Sequence, residues 1–210
     1  MAAQASPIWW IEVIKISPGL ISAILAVALV VTYRKELRAL VSRMTKLKAL
    51  GVEAEFSGKA MDDAIAVQRV QVSDGDRKGA LRRLTVIAPL LRDTRVLWID
   101  DNPANNRYER ALLESFGVRI DTVTSSADGE RAARENIYTL IITDLAREGR
   151  DNEGLLFVAR LVASKTYVWT IAYTGSDQQG QARPPHLFGI TNRPDHLMHL
   201  VCDVVEREKL

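Results

Sequence analysis

From Arg95 onward, short apolar runs alternate with amphipathic stretches. Val96-Leu97-Trp98-Ile99 is a continuous apolar run, the pattern of a strand buried on both faces. A helix is predicted over Asn105–Phe116, closed by Gly117. Val118–Thr124 is a more polar strand suited to a sheet edge, Ala127–Asn136 a helix, and Tyr138–Thr143 a second apolar strand. Leu155, Val158, Ala159 and Val162 set one face of the next helix toward the sheet. Tyr167–Tyr173 and Phe188–Thr191 supply the fourth and fifth strands, and Leu197, Leu200, Val201 and Val204 define a last amphipathic helix. Strands alternating with helices place residues 95–210 in the α/β class, as a doubly wound five-stranded parallel sheet.

The first 94 residues follow another pattern. Between Lys15 and Arg34 lie eighteen uncharged residues, ISPGLISAILAVALVVTY. As a helix they extend about 27 Å, close to the roughly 30 Å of a bilayer's hydrocarbon core. Trp9 and Trp10 suit one interface and Tyr33 the other. The segment 1–33 is therefore expected to hold a single transmembrane helix over about 14–33. Residues 34–50 read as a basic amphipathic helix, with Leu37, Leu40, Val41, Met44 and Leu47 on one face and Gly51 as its stop. Over 51–94, Val52–Phe56 alternates apolar and acidic residues like a short strand. Lys59–Val72 and Asp76–Leu91 follow as helices, with Asp74 or Asp76 as a cap and Pro89 as a kink. No chemical constellation stands out there, and the expectation is a helical connector.

Charge sharpens this division. The net +2 conceals six bases against one acid in 34–48, while residues 95–210 carry fourteen bases and seventeen acids. Bases collect on the cytoplasmic side of a span. The expectation is an inner (plasma) membrane protein, single-pass, with its N-terminus outside and the α/β domain in the cytoplasm. The basic helix is suited to anionic lipid, or to pairing with a second copy of the chain. An acidic main domain argues against a nucleic-acid coat. Cys202 is the only cysteine, which excludes an intramolecular disulfide and a Cys-built zinc site.

In a doubly wound sheet, reactive groups gather at the carboxyl ends of the strands. The first strand ends in Asp100-Asp101, the third in Asp144, the fourth in Thr174-Gly175-Ser176, and the fifth is followed by Arg193-Pro194. Three carboxylates, a hydroxyl and a cation are thereby directed to one rim. Clustered carboxylates repel unless a cation neutralises them, and all-oxygen ligation suits Mg²⁺. Asp144 then remains as a nucleophile for a phosphoryl group. His186, His196 and His199 read as surface histidines, and Trp98 and Trp169 as strand-core residues. No Ser-His-Asp motif and no phosphate-cradling Gly-rich loop is present.

The segments VLWIDDNP, LIITDLA, IAYTGS and ITNRP resemble those of the receiver domain of two-component signalling, over Arg95 to about Glu208. That resemblance implies a flavodoxin-like receiver fold. By it, Asp100, Asp101 and the backbone carbonyl of Ala146 join Asp144 as Mg²⁺ ligands, Asp144 is the phosphoacceptor, and Thr174 is the hydroxyl that follows the phosphoryl oxygen. A histidine kinase or another signalling protein is the implied partner, and no enzymatic activity is implied beyond self-phosphorylation and autodephosphorylation. Three features depart from the family pattern: Arg193 stands where Lys is usual, Ile190 where an aromatic switch is usual, and Gln178–Leu187, with Gly180, Pro184 and Pro185, reads as a loop in place of the fourth helix. Two functions follow as expectations. One is a membrane-anchored receiver that is phosphorylated and acts through protein contacts. The other is a membrane effector or scaffold whose receiver-like domain binds a partner or ligand and oligomerises independently of phosphorylation.

Overall fold

The order of apolar runs becomes a parallel sheet with helices on both faces. The computed structural model describes residue 33 and residues 55–147, 149–176 and 185–209. Two helices come first: α1 over 55–68 and α2, Asp74–Leu91. The alternating part follows as β1 (Arg95–Ile99), α3 (Arg107–Ser115), β2 (Arg119–Val123), α4 (Ser126–Glu135), β3 (Leu140–Thr143), α5 (Glu153–Ala163), β4 (Trp169–Tyr173), β5 (Leu187–Thr191) and α6 (Pro194–Lys209). All strand pairs are parallel, in the order β2-β1-β3-β4-β5. The chain steps one way from β1 to form β2 and the other way to form β3, β4 and β5. The topological switch therefore lies between β1 and β3, the flavodoxin-like arrangement.

Alternation within each strand builds two apolar layers. Val96 and Trp98 of β1, with Leu140 and Ile142 of β3, face α3 and α6. Leu97, Ile99 and Ile141 face the other way, onto Ala133 of α4 and Phe157, Val158 and Leu161 of α5. The polar strand β2 is the half-exposed edge that its sequence suggests. Gly129 of α4 presses on Ile99, where a Cβ would lie 2.6 Å from Cδ1, so this helix seats directly on the sheet. Cys202 lies in the α6 layer, fully buried, and desolvation lifts its thiol to about 12.

The segment before β1 departs from expectation in two ways. Glu55 and Phe56 already belong to α1, so no strand forms at the described end of Val52–Phe56. The two helices also do more than connect. Ala60 and Met61 of α1 and Ala80, Leu84, Ile87 and Leu91 of α2 join the same apolar layer as α3 and α6. By their contacts, the described residues from 55 onward group as one compact unit. Ser73, not an aspartate, caps α2, accepting from the Asp76 N–H at 3.1 Å. Pro89 sits near the helix end without stopping it before Leu91. Arg83 of α2 donates to Glu206 at 2.6 Å and to Asp203, both on α6. Lys209 donates to the Leu90 carbonyl at 2.7 Å.

Among the described residues no helix is long and apolar enough to cross a membrane. The span expected over 14–33 lies, apart from Tyr33, outside the described residues, as does the basic helix expected over 34–50. Residues 177–184, which cover most of the loop expected in place of a fourth helix, also lie outside them.

Candidate functional site at the topological switch

The parallel ladder continues one residue past each central strand and so fixes the backbone of the acids. The Asp100 N–H donates to the Val123 carbonyl at 3.1 Å, the Asp144 N–H to Ile99 at 3.0 Å, and the Thr174 N–H to Thr191 at 3.0 Å. Gly154, at the start of α5, lies so close behind Asp144 that a Cβ would fall on the Asp144 carbonyl oxygen and 2.9 Å from the Leu145 Cα. These contacts bring Asp100, Asp101 and Asp144 together, with one carboxylate oxygen of each within 4.8 Å of the others.

Asp100 is 7% exposed. Its carboxylate accepts from the Asn102 N–H at 2.7 Å and from the side-chain amide of Asn106, which in turn accepts from Arg110 at 3.0 Å. Burial pushes the Asp100 carboxyl up to about 6, aided by the charges of Asp144 and Asp101 and opposed by the Asn102 N–H and Arg147. Burial likewise raises Asp144, against the N–H groups of Leu145 and Ala146 and the charge of Arg147. Among the described residues, neither Asp100 nor Asp144 enters a salt bridge. Two carboxylates so desolvated, with a third beside them, form a site short of positive charge. The donor set fits a hard divalent ion, because Mg²⁺ bonds of about 2.0–2.1 Å place octahedral ligand atoms roughly 3–4 Å apart.

An open cleft of about 330 Å³ lies over the acids, lined by Asp100, Asp144, Asn105, Asn106, Tyr173, Thr174 and Gly175 together with Val67, Gln68 and Arg69. Thr174 is where its strand-end position suggests, with its hydroxyl donating to the Ser176 carbonyl. Arg193 is not among the lining residues. Its guanidinium donates to both oxygens of Asp195, at 3.1 and 2.6 Å, and to Asp76 of α2 at 3.1 Å. Ile190 is buried in the sheet layer at 3% exposure.

Three groups of site residues carry no signal in the strand-end pattern. Asn105 and Asn106 come from the loop before α3. Arg147, three residues past Asp144, is buried, with its guanidinium 5.7 Å above the Phe157 ring and within 3.2 Å of the Ser126 hydroxyl. Val67, Gln68 and Arg69 belong to the end of α1, where the sequence shows no chemistry. Behind the cleft, the Tyr173 hydroxyl donates to Glu109 at 2.6 Å, and Gln68 lies beside both. Burial raises the Glu109 carboxyl and the Tyr173 hydroxyl. The chain is thus a doubly wound α/β protein with an acidic cleft at its switch point.

No protein-family profile matches the sequence, and no curated protein matches it. Solved structures do align. The response regulator TrrA of Thermotoga maritima in complex with Mg²⁺-BeF aligns at TM-score 0.47 and 20% identity, covering 53% of this chain and 98% of that one. The receiver domain of a Francisella response regulator gives 0.47 and 17%, covering 56% and 100%. The response regulator PhyR of Brucella abortus gives 0.48 and 18%, covering 66% and 58%.

Proposed function

We propose that this chain is a signalling protein of the receiver type, phosphorylated on Asp144 and acting through contacts with other proteins. The observation that carries the proposal is the pairing of Asp100 and Asp144 across the topological switch, both desolvated, with Arg147 the nearby cation that acts on each. Asp100, Asp101, Asp144 and the carbonyl of Ala146 would hold Mg²⁺, which when bound supplies positive charge against the phosphoryl oxygens. An Asp144 carboxylate oxygen attacks the phosphorus of a phosphohistidine on a partner kinase. The O–P bond forms as the P–N bond breaks, and the imidazole nitrogen leaves with the electron pair and takes a proton. Thr174, at the cleft wall, exchanges its bond to Ser176 for one to a phosphoryl oxygen. No catalysis beyond gaining and losing this group belongs to the reading. The chain sits in the inner membrane by a helix over 14–33, N-terminus outside, with 34–48 on anionic lipid.

Treatment of the full chain with a small phosphodonor and Mg²⁺, followed by mass spectrometry, is expected to find acyl phosphate on Asp144 and none in Asp144→Asn. A wild-type chain without the adduct overturns the reading.

A second reading has its own support. Arg193 is held by Asp195 and Asp76, Ile190 is buried, and α2 covers part of α6. A scaffold that self-associates independently of phosphate would use such a locked domain. It predicts that Asp144→Asn leaves signalling intact while deletion of residues 1–33 abolishes it.

A further inference from the structure

We propose that Arg69, at the end of α1, is the cation that binds the phosphoryl group carried by Asp144, in the place where the strand-end pattern offers Arg193. The proposal rests on the phosphoacceptor reading of Asp144. Three independent observations lead to it.

The first is placement. Arg69 lines the same cleft as Asp100, Asp144 and Thr174, and Arg193 does not. The second is availability. Arg193 is occupied by two carboxylates, and Arg147 is 1% exposed and directed at Ser126 and the Phe157 ring. Arg69 is exposed at the mouth of the cleft, and among the described residues its side chain enters no ion pair. The third is the manner in which it is held. Gln68, its neighbour, lines the cleft beside Tyr173, and Met61 and Ala64 of α1 are fully buried and anchor the helix that carries it. Arg69 itself has φ +54°, the left-handed region that favours glycine, and donates its N–H to Ala66 at 3.3 Å. Lys165 adopts the same conformation after α5, so strain alone does not mark a site. At Arg69 a strained backbone carries a long cation in the lining of an acidic cleft, and a glycine there would close the helix at less conformational cost.

The charge balance gives this cation a role. A phosphoryl group carries about two negative charges, and because the Asp144 carboxylate gives up its own charge in the acyl phosphate, the cluster with Asp100 and Asp101 becomes about one charge more negative. A single divalent ion leaves that cluster net negative. The planar guanidinium fork offers paired N–H donors to two phosphoryl oxygens, a stronger contact than a neutral donor gives. Arg69 therefore contributes to holding the tetrahedral anion and little to holding a metal, which the carboxylates of Asp100, Asp101 and Asp144 would hold.

The test uses the full chain and beryllofluoride, a phosphoryl mimic, titrated calorimetrically in the presence of Mg²⁺. Arg69→Ala is expected to bind beryllofluoride about 10- to 100-fold more weakly, with Mg²⁺ affinity unchanged within about threefold. Arg193→Ala is expected to bind like the wild type. Arg69→Gly separates binding from folding. Relief of the positive φ holds its thermal midpoint at or above the wild-type value, while its beryllofluoride affinity falls as for Ala. Wild-type affinity in Arg69→Ala overturns the role of Arg69 and leaves the phosphoacceptor reading standing. Failure of the wild-type chain to bind beryllofluoride with Mg²⁺ overturns both.

Discussion

Asp100 shows the tension between stability and function in a single side chain. Its carboxyl, held up at about 6 by burial first and by Asp144 and Asp101 next, is ionised at neutral pH at a cost to the fold. A raised acid pKa means that the folded state binds more protons than the unfolded one, so this cost grows as pH rises from about 4 to about 6. Asp100→Asn is expected to stabilise the metal-free protein at pH 7 by about 1–2 kcal/mol. It should also remove the rise in thermal midpoint that Mg²⁺ gives the wild type. Thermal unfolding with Mg²⁺ and with EDTA measures both, and loss of stability in the metal-free variant would contradict the assignment. The acids were legible in the sequence because each directly follows an apolar run, and a strand's carboxyl end is predictable from that run. The engagement of Arg193 was only half legible, because Asp195 lies two residues away while its other partner, Asp76, is distant in sequence.

At the scale of elements, α4 and α5 are tied by one ionic group. Arg160 donates to Glu130 of α4 and to Glu153, each at 2.6 Å, and Arg150 reaches Glu153 at 3.1 Å. Desolvation opposes the ionised form of Glu153, but hydrogen bonds from Ser126, Arg160 and Arg150 outweigh it and hold the carboxyl down at about 2. The depressed value fixes the sign. Stability from Glu153 is fully present above the unfolded carboxylate range near 4.5 and is lost as pH falls toward 2. Replacement by Gln is expected to flatten the acid limb of a stability–pH profile over that window and to cost about 1–3 kcal/mol at pH 7. An unchanged acid limb would show that the group adds nothing. Helices as elements were readable from their 3.6-residue spacing, and their ends moved by only a few residues. The surfaces that α1 and α2 bury were not readable, since an amphipathic stripe states that a face is covered without stating by what.

On the scale of the whole molecule, the boundary drawn at residue 95 by the change of pattern cuts through a shared apolar layer. Leu84 and Leu91 of α2 are fully buried with Leu197, Val201 and Val204 of α6. A fragment of residues 95–210 is expected to be aggregation-prone or unfolded, whereas residues 53–210 unfold cooperatively. Circular dichroism and sedimentation of the two fragments decide this, and a stable monomeric 95–210 would return α1 and α2 to the status of a connector. The parallel sheet was legible because it follows from the alternation of elements and their handedness, whereas the strand order that sets its switch was reached only through the resemblance to a receiver domain. The union of the leading helices with the cleft was not legible, because it depends on contacts between distant parts of the chain. The buried thiol of Cys202, lifted to about 12, has a practical meaning at this scale. The native chain presents almost no reactive thiolate at neutral pH. A cysteine introduced on α1 would therefore be the one position to take a maleimide or spin label, and the approach of that helix to the acidic cleft becomes a distance measurable without first removing a native residue.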